Sequence, residues 1–186
     1  MTEKNNYFTL YEICLIAFMS VTGMFIKPVV SPVFNLLTDF IRIPGGSITA
    51  GFSMLFLVFT AALIRKKGTA TMMGAVQAVI ALGLGISSVV GLLVFITYTL
   101  PGIAIDAILC TDFLCKIQMK TRMMLAGGAG VLTGAAFTNM LYFNLSVIPF
   151  ILFYIFGILS GALGGYMAFI IMESLPESIK SRGKQI

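Results

Sequence analysis

Six long apolar segments, separated by short polar connections, constrain the fold of this chain more than any other feature. Each approaches the roughly 20 residues that a helix needs to cross the hydrocarbon layer of a bilayer. A water-soluble domain of 186 residues with 59% hydrophobic and 10% charged residues would have too little polar surface. The sequence therefore predicts one transmembrane domain over residues 1–186, an all-α bundle of about six helices. The predicted spans are approximately 8–25, 47–64, 69–85, 89–109, 123–142 and 147–172.

The basic residues are distributed asymmetrically between the connections. If the N-terminus is cytoplasmic and the six spans follow in turn, all 12 Lys and Arg residues except Lys27 and Arg42 fall inside. Cytoplasmic loops of membrane proteins carry an excess of positive charge. We therefore expect a multi-pass protein of the cell membrane, surrounded by lipid, with both termini in the cytoplasm.

The outer connection after the first span is long and apolar. Ser31, which precedes a proline, is typical of a helix start, and Pro44, which precedes two glycines, of a helix end. Phe34, Leu37 and Ile41 recur between them at helical spacing. This pattern predicts a short amphipathic segment between helices 1 and 2 at the outer interface. Such a segment is compatible with an ordinary connector or with a lid over a binding site.

Residue types that are absent exclude several functions. The chain has no histidine, which excludes Ser/His and Cys/His catalysis and zinc-protease motifs. The three cysteines lack metal-ligand spacing, and no basic stripe interleaved with aromatic residues indicates nucleic-acid binding. A phosphate-binding G-x-x-x-x-G-K-[ST] loop is also missing. We therefore expect neither an enzyme nor a cofactor or metal site.

The last two predicted spans are rich in small residues that recur every fourth position. This spacing lets helix backbones approach closely in a membrane. It is compatible with packing inside the bundle or with a docking groove for a partner subunit. The predicted packing positions are Gly130, Gly134, Gly157, Gly161 and Gly165.

Two carboxylates fall near the cytoplasmic ends of predicted spans. Asp106 follows the helix-distorting pair Pro101-Gly102, and its position favours a structural or interfacial role over direct ligand contact. Glu12 has a similar position in the first span. It is also compatible with a contact to a basic residue of a partner.

A set of amides and phenols lies nearer the predicted outer half of the bundle. Such groups suit a pocket that holds a small heteroaromatic ligand through hydrogen bonds and stacking. Interhelical hydrogen bonds and an aromatic belt at the membrane surface are the alternative. The candidate substrate-binding residues are Gln77, Tyr98, Asn139, Tyr142 and Tyr154, with Asn35 and Asp39 of the outer segment.

Two stretches, ALIRKKGTATMMGAVQAVIALGLG and TYTLPGIAID, resemble the substrate-binding S components of energy-coupling factor (ECF) vitamin transporters. They are most similar to the thiamine/hydroxymethylpyrimidine-type subfamily, where a basic turn likewise joins the second and third spans. The resemblance implies a six-helix bundle that captures a vitamin or vitamin precursor outside. It also implies two kinds of partner, a transmembrane coupling subunit and two cytoplasmic ATPases. By the same resemblance, residues 31–43 would form a lid, and Gln77, Asn139 and Tyr142 would lie near the ligand.

The chain departs from the pattern of these S components at two places. In place of an Ala-x-x-x-Ala docking pattern, the first span offers small residues at three-residue spacing, which predicts partner docking through Ala17, Ser20 and Gly23. The third span contains Gln77 and no carboxylate, which favours a neutral pyrimidine or another vitamin-like molecule over a cationic ligand. Nickel and cobalt members are disfavoured because they resemble His-dependent metal binders. The alternative function is a stand-alone small-molecule transporter or channel that needs no ATPase.

Overall fold

A computed structural model describes residues 8–39, 46–85, 91, 93–111, 117–138 and 147–176. For residues 34, 35, 37–39, 46–48, 147–150 and 152 only the backbone is described. These parts of the chain form six α-helices and contain no strand, which confirms the all-α fold. The helices are α1 (Leu10–Asp39), α2 (Gly46–Ile64), α3 (Thr69–Leu84), α4 (Leu93–Cys110), α5 (Met119–Thr138) and α6 (Val147–Ser174).

The structure differs from the sequence prediction along α1. The segment from Ser31 to Asp39 continues the first helix, so it is not a separate helix that starts at Ser31. Pro28 and Pro32 lie inside this helix of 30 residues. Proline removes one backbone hydrogen bond, but ending the helix would expose more unpaired backbone groups, which is costlier in an apolar environment. A helix of this length extends about 45 Å and can project beyond the hydrocarbon layer.

Three helices within the described residues are long and apolar enough to cross a membrane. They cover Leu10–Val33, Leu93–Cys110 and Phe153–Ser174. The apolar helices Thr49–Ile64 and Thr69–Leu84 are shorter. Together these segments confirm the membrane assignment, while the exact bounds of the six predicted spans stay a prediction.

The helices pack around α2, which touches each of the other five. The apolar core includes Val58 of α2, Met73 of α3, Ile105 of α4 and Met123 of α5, and each of these side chains is completely buried. Side chains on the outer faces of the helices are also apolar, as lipid contact requires. The fold is therefore a bundle that is apolar both inside and outside.

Glycines bring α5 and α6 into backbone contact. A Cβ atom added to Gly127 or to Gly161 would collide with the main-chain carbonyl of the other residue. A Cβ atom on Gly165 would collide with the carbonyl of Met123 in the same way. Of the predicted packing positions, Gly161 and Gly165 therefore lie directly between these two helices.

The remaining predicted packing glycines meet side chains within the bundle. A Cβ atom on Gly157 would lie 3.0 Å from Cγ1 of Val131 in α5. Gly134 faces α4, where an added Cβ atom would lie 2.9 Å from Pro101. Gly130 lies between α2 and α4, and a Cβ atom there would be 2.8 Å from Met54 and 3.1 Å from Ile105. A second backbone contact joins α2 to α6 through Gly51 and Gly164, and Gly51 was not among the predicted positions.

Candidate functional site

One end of the bundle gathers charged side chains of α1, α4, α5 and the turn after α2, and is called the basic end below. An ion pair joins Nζ of Lys66, after α2, to Oε2 of Glu12 in α1 at 2.8 Å. The side chains are 12% and 6% exposed, so the pair is largely shielded from its surroundings. Nζ of Lys66 also lies 5.8 Å from the ring centroid of Phe8. The basic turn is thereby fixed to the start of the first helix.

Glu12 also takes part in the N-terminal cap of α1. Its Oε2 accepts a hydrogen bond from the backbone N–H of Thr9 at 2.7 Å. In return, the hydroxyl of Thr9 accepts one from the N–H of Glu12 at 3.4 Å. This is a capping box, in which two backbone donors at a helix start are satisfied reciprocally. The carboxylate of Glu12 is therefore held by contacts inside the bundle.

The carboxylate of Asp106 caps the start of α3 from the neighbouring helix α4. It accepts hydrogen bonds from the backbone N–H groups of Ala70 at 3.0 Å and Thr71 at 2.8 Å. The hydroxyl of Thr71 donates a third at 2.7 Å. Gly68, the N-cap residue, has φ of 87° and no side chain that could do this. Asp106 therefore has a structural role, as its position in the sequence favoured.

Two basic residues of α5 complete this end. The guanidinium of Arg122 donates to the backbone carbonyl of Leu109 in the last turn of α4, where carbonyls lack helical partners. Lys120 places its Nζ 4.7 Å from the ring centroid of Tyr166 in α6. These contacts, which the sequence analysis did not identify, join α4, α5 and α6 at the basic end.

A narrow cleft, too tight in this structure to admit a water molecule, lies between α1 and α2, towards the opposite end of the bundle. It is called the outer cleft below. Two aromatic residues and two hydroxyl residues of α2 face a cation and small or branched residues of α1. The lining residues are Gly23, Ile26, Lys27, Val30, Thr49, Phe52, Ser53 and Phe56.

Gln77 is the predicted site residue that the structure brings beside the outer cleft. It is only 6% exposed, and its Nε2 lies 3.4 Å from the position that a Cβ atom would take on Gly23. Within the described residues its side-chain amide makes no hydrogen bond. An amide beside a cleft that has no partner within the protein is available to a ligand or to water.

Two further predicted substrate-binding residues with described side chains, Tyr98 and Tyr154, do not line the outer cleft. Tyr98 is partly buried in α4 and packs against the small cluster of Met24, Ala78, Ala81 and Val94. Tyr154 is partly buried in α6, edge-on to Phe153 with 6.4 Å between the ring centroids. Asn139 and Tyr142 lie outside the described residues, and only the backbone of Asn35 and Asp39 is described. Their roles stay predictions.

The three residues predicted for partner docking point in different directions. Ala17 is exposed. Ser20 is completely buried, and its hydroxyl donates to the carbonyl of Ile16 at 2.7 Å and lies 3.4 Å from that of Met73 in α3. Gly23 faces Phe56 and Gln77. Ser20 and Gly23 thus form contacts within the bundle, and Ala17 is the residue of the three that a partner could reach.

Lys27 is the feature of the outer cleft that the sequence analysis missed. The charge pattern places Lys27 on the outer side with Arg42 and predicts no further role for it. A cation inside an apolar helix, four residues after Gly23 and therefore on the same helical face, was the available signal. What the sequence could not provide was the position of α2, which supplies the facing Phe52 and Ser53.

Comparison with known proteins gives two findings. The sequence matches the family described as "ABC-type cobalt transport system, permease component" over residues 11–135. The fold is similar to a solved structure described as "Crystal structure of an S-component of ECF transporter", with a TM-score of 0.70. The two chains are 20% identical, and the similarity covers 90% of this chain and 85% of the other. No curated protein sequence matches this chain.

Proposed function

This chain belongs to the family of ABC-type cobalt transport system permease components, and on that premise we propose that it is the substrate-binding S component of an ECF-type ABC importer. The match over residues 11–135, which is more than half of the chain, carries the proposal. Similarity of fold to an S component over 90% of the chain supports it. The chain is thus a transport protein and not an enzyme, and it captures a small molecule outside for delivery inward.

The ligand of this importer is an organic molecule of the vitamin or vitamin-precursor class, such as a compound related to the pyrimidine half of thiamine and without the cationic ring of thiamine. Cobalt, which the description of the family names, fits the donor atoms of this chain poorly. Imidazole is a common ligand of divalent transition metals, and the chain contains no histidine. Within the described residues, no three His, Cys, Asp or Glu side chains are grouped as a metal site requires.

The outer cleft forms part of the ligand site in this proposal. Gln77 supplies a buried amide that has no hydrogen-bond partner in the described part of the bundle. Phe52 and Phe56 line the cleft with aromatic rings, and Phe56 borders Gly23 as Gln77 does. A polar heterocycle can pair with an amide and stack on such rings. Tyr98, Tyr154, Asn139, Tyr142, Asn35 and Asp39 remain proposed contributors to the same site.

The partners in this proposal are a transmembrane coupling subunit and two cytoplasmic ATPases, because this chain lacks a phosphate-binding loop. The basic end faces the cytoplasm. It contains Lys66, Lys120 and Arg122 and thereby meets the preference of cytoplasmic surfaces for positive charge. Both chain termini are then cytoplasmic, and the outer cleft lies towards the exterior.

Co-purification with the coupling subunit and the two ATPases tests the proposed complex. We expect a stable assembly, and native mass spectrometry should detect an organic molecule retained by the purified chain. A chain that transports ligand in proteoliposomes without these partners would instead support the alternative of a stand-alone transporter. A chain that neither associates with these partners nor retains a ligand would contradict the proposed importer function.

The variant Gln77→Ala tests the proposed pocket. We expect ligand affinity to fall by the equivalent of about 1–3 kcal/mol, the cost of removing a buried hydrogen-bond partner. The control is Thr97→Ala, because the hydroxyl of Thr97 donates to the carbonyl of Leu93 within α4 and lies on another helix. Equal affinity of Gln77→Ala and the parent protein would remove Gln77 from the site.

A further inference from the structure

The ammonium group of Lys27 has no acidic partner within the described residues. Three carboxylate side chains are described, and none of them is paired with Lys27. Glu12 is bound to Lys66, Asp106 caps α3, and Glu173 lies in the last turn of α6 at the basic end. Asp39 lies 12 residues further along the same continuous helix. That separation is about 18 Å along the axis, which is beyond the reach of a lysine side chain.

A charged side chain within an apolar helix is costly unless something compensates its charge. Lys27 is exposed on the exterior of the bundle and also lines the outer cleft, so the side chain lies at the rim. The long apolar part of a lysine can lie along an apolar surface while the charged end reaches a polar group. What is missing at this rim is a negative charge.

The unpaired amide of Gln77 lies beside the same wall of the cleft. Gly23 and Lys27 are one helical turn apart on α1, and Nε2 of Gln77 borders Gly23. Two kinds of hydrogen-bond donor, one of them cationic, therefore occur within one turn of each other. The hydroxyl of Ser53, on the opposite wall, lies 3.5 Å from the backbone carbonyl of Thr49 in its own helix. The aromatic rings of Phe52 and Phe56 line the cleft on the α2 wall.

We propose that the outer cleft is an anion-binding site in which Lys27 pairs with a carboxylate or phosphate group. Two sources provide this chemistry: an anionic, partly aromatic solute, or the phosphate of an outer-leaflet lipid headgroup. If the anion is a solute, the inference rests on the proposed transport function, and the transported ligand carries a negative charge. If the anion is a lipid phosphate, the inference does not depend on the proposed transport function.

Binding of matched charged and neutral probes tests this site. Nicotinate and nicotinamide have similar size and shape, but nicotinate carries a carboxylate. We expect radiolabelled nicotinate to bind the purified full chain and nicotinamide to bind at least ten-fold more weakly. Lys27→Gln should lower nicotinate affinity at least ten-fold, whereas Lys27→Arg should retain it within three-fold. The control Lys67→Gln, a cation at the basic end, should bind like the parent protein.

Native mass spectrometry distinguishes the lipid source. After purification with mixed phosphatidylglycerol and phosphatidylcholine, retention of phosphatidylglycerol that is lost in Lys27→Gln assigns the site to a lipid phosphate. Lys27-dependent binding of nicotinate assigns it to a solute. If neither probe depends on Lys27 in a folded protein, the proposal is overturned. The parent protein and each variant are also co-purified with the coupling subunit and ATPases. A parent protein that forms the complex but binds neither anionic probe contradicts this inference and leaves the proposed transport function intact.

Discussion

The basic end and the outer cleft lie about 22 Å apart along α1 and use charge in opposite ways. At the basic end, Glu12 and Lys66 bind each other, and Asp106 binds three donors of α3. At the outer cleft, Lys27 and Gln77 have no polar partner within the described residues. Both ends belong to the same apolar bundle, so the difference in how their charges are paired does not come from a difference in amino-acid composition.

This contrast separates structural charge from charge that is available to a ligand. The attraction between two paired charges is already formed in the folded protein. Removing one member of the pair leaves the other charge uncompensated. An unpaired charge costs stability in the free protein and recovers that cost when a ligand of opposite charge binds. The two ends should therefore respond in opposite ways to the same type of substitution.

Breaking the ion pair at the basic end should have the largest effect. Lys66→Met leaves the carboxylate of Glu12 without its cation in a site where it is almost completely buried. We expect unfolding free energy to fall by about 3–5 kcal/mol, measured by chemical denaturation in detergent micelles. The double variant Glu12→Gln, Lys66→Met should recover most of this loss, because no charge is then left unpaired. A double variant as unstable as the single one would show that packing, and not charge, dominates.

Removing the cap of α3 should have a smaller effect. Asp106→Ala deprives two backbone N–H groups and the hydroxyl of Thr71 of their acceptor. We expect a loss of about 2–3 kcal/mol, since hydrogen bonds to charged groups are individually strong but water can reach part of this helix start. Hydrogen exchange should increase at Ala70 and Thr71 in particular. Thr71→Val, which removes only the hydroxyl, should lose about 1 kcal/mol.

The sequence identified most of the helices because hydrophobic segments of membrane-spanning length are a direct physical signal. It failed along α1, where Ser31 and Pro32 indicated a new helix although the chain continues as one. Local capping signals describe helix ends in water, whereas an apolar environment penalises every unpaired backbone group. The structural role of Asp106 was predictable from its position near a span end, but its partner on α3 was not.

The candidate site was only partly accessible from the sequence. Gln77 could be selected because an amide in an apolar span is unusual. Its neighbours at the cleft come from α1 and α2, and Gly23 touches Gln77 only because α1 and α3 lie side by side. Small residues of α1 predicted close contact, but their spacing did not reveal which helix they meet. Ser20 and Gly23 consequently have internal contacts, and Ala17 is left for a partner.

The smallest stability effect is expected for the same Lys-to-Met substitution at the outer cleft. Lys27→Met removes a cation without leaving any described carboxylate unpaired, and methionine can occupy much of the same apolar surface. We expect the unfolding free energy to change by no more than about 0.5 kcal/mol, or to increase slightly as the cost of an unpaired charge is removed. The measurement is chemical denaturation of Lys27→Met and Lys66→Met in the same detergent without added ligand.

With nicotinate present, the parent protein should gain stability and Lys27→Met should not, because a ligand that binds only the folded state stabilises it by mass action. A loss at Lys27 as large as that at Lys66 would mean that both lysines are structural, and the contrast between the two ends would then disappear.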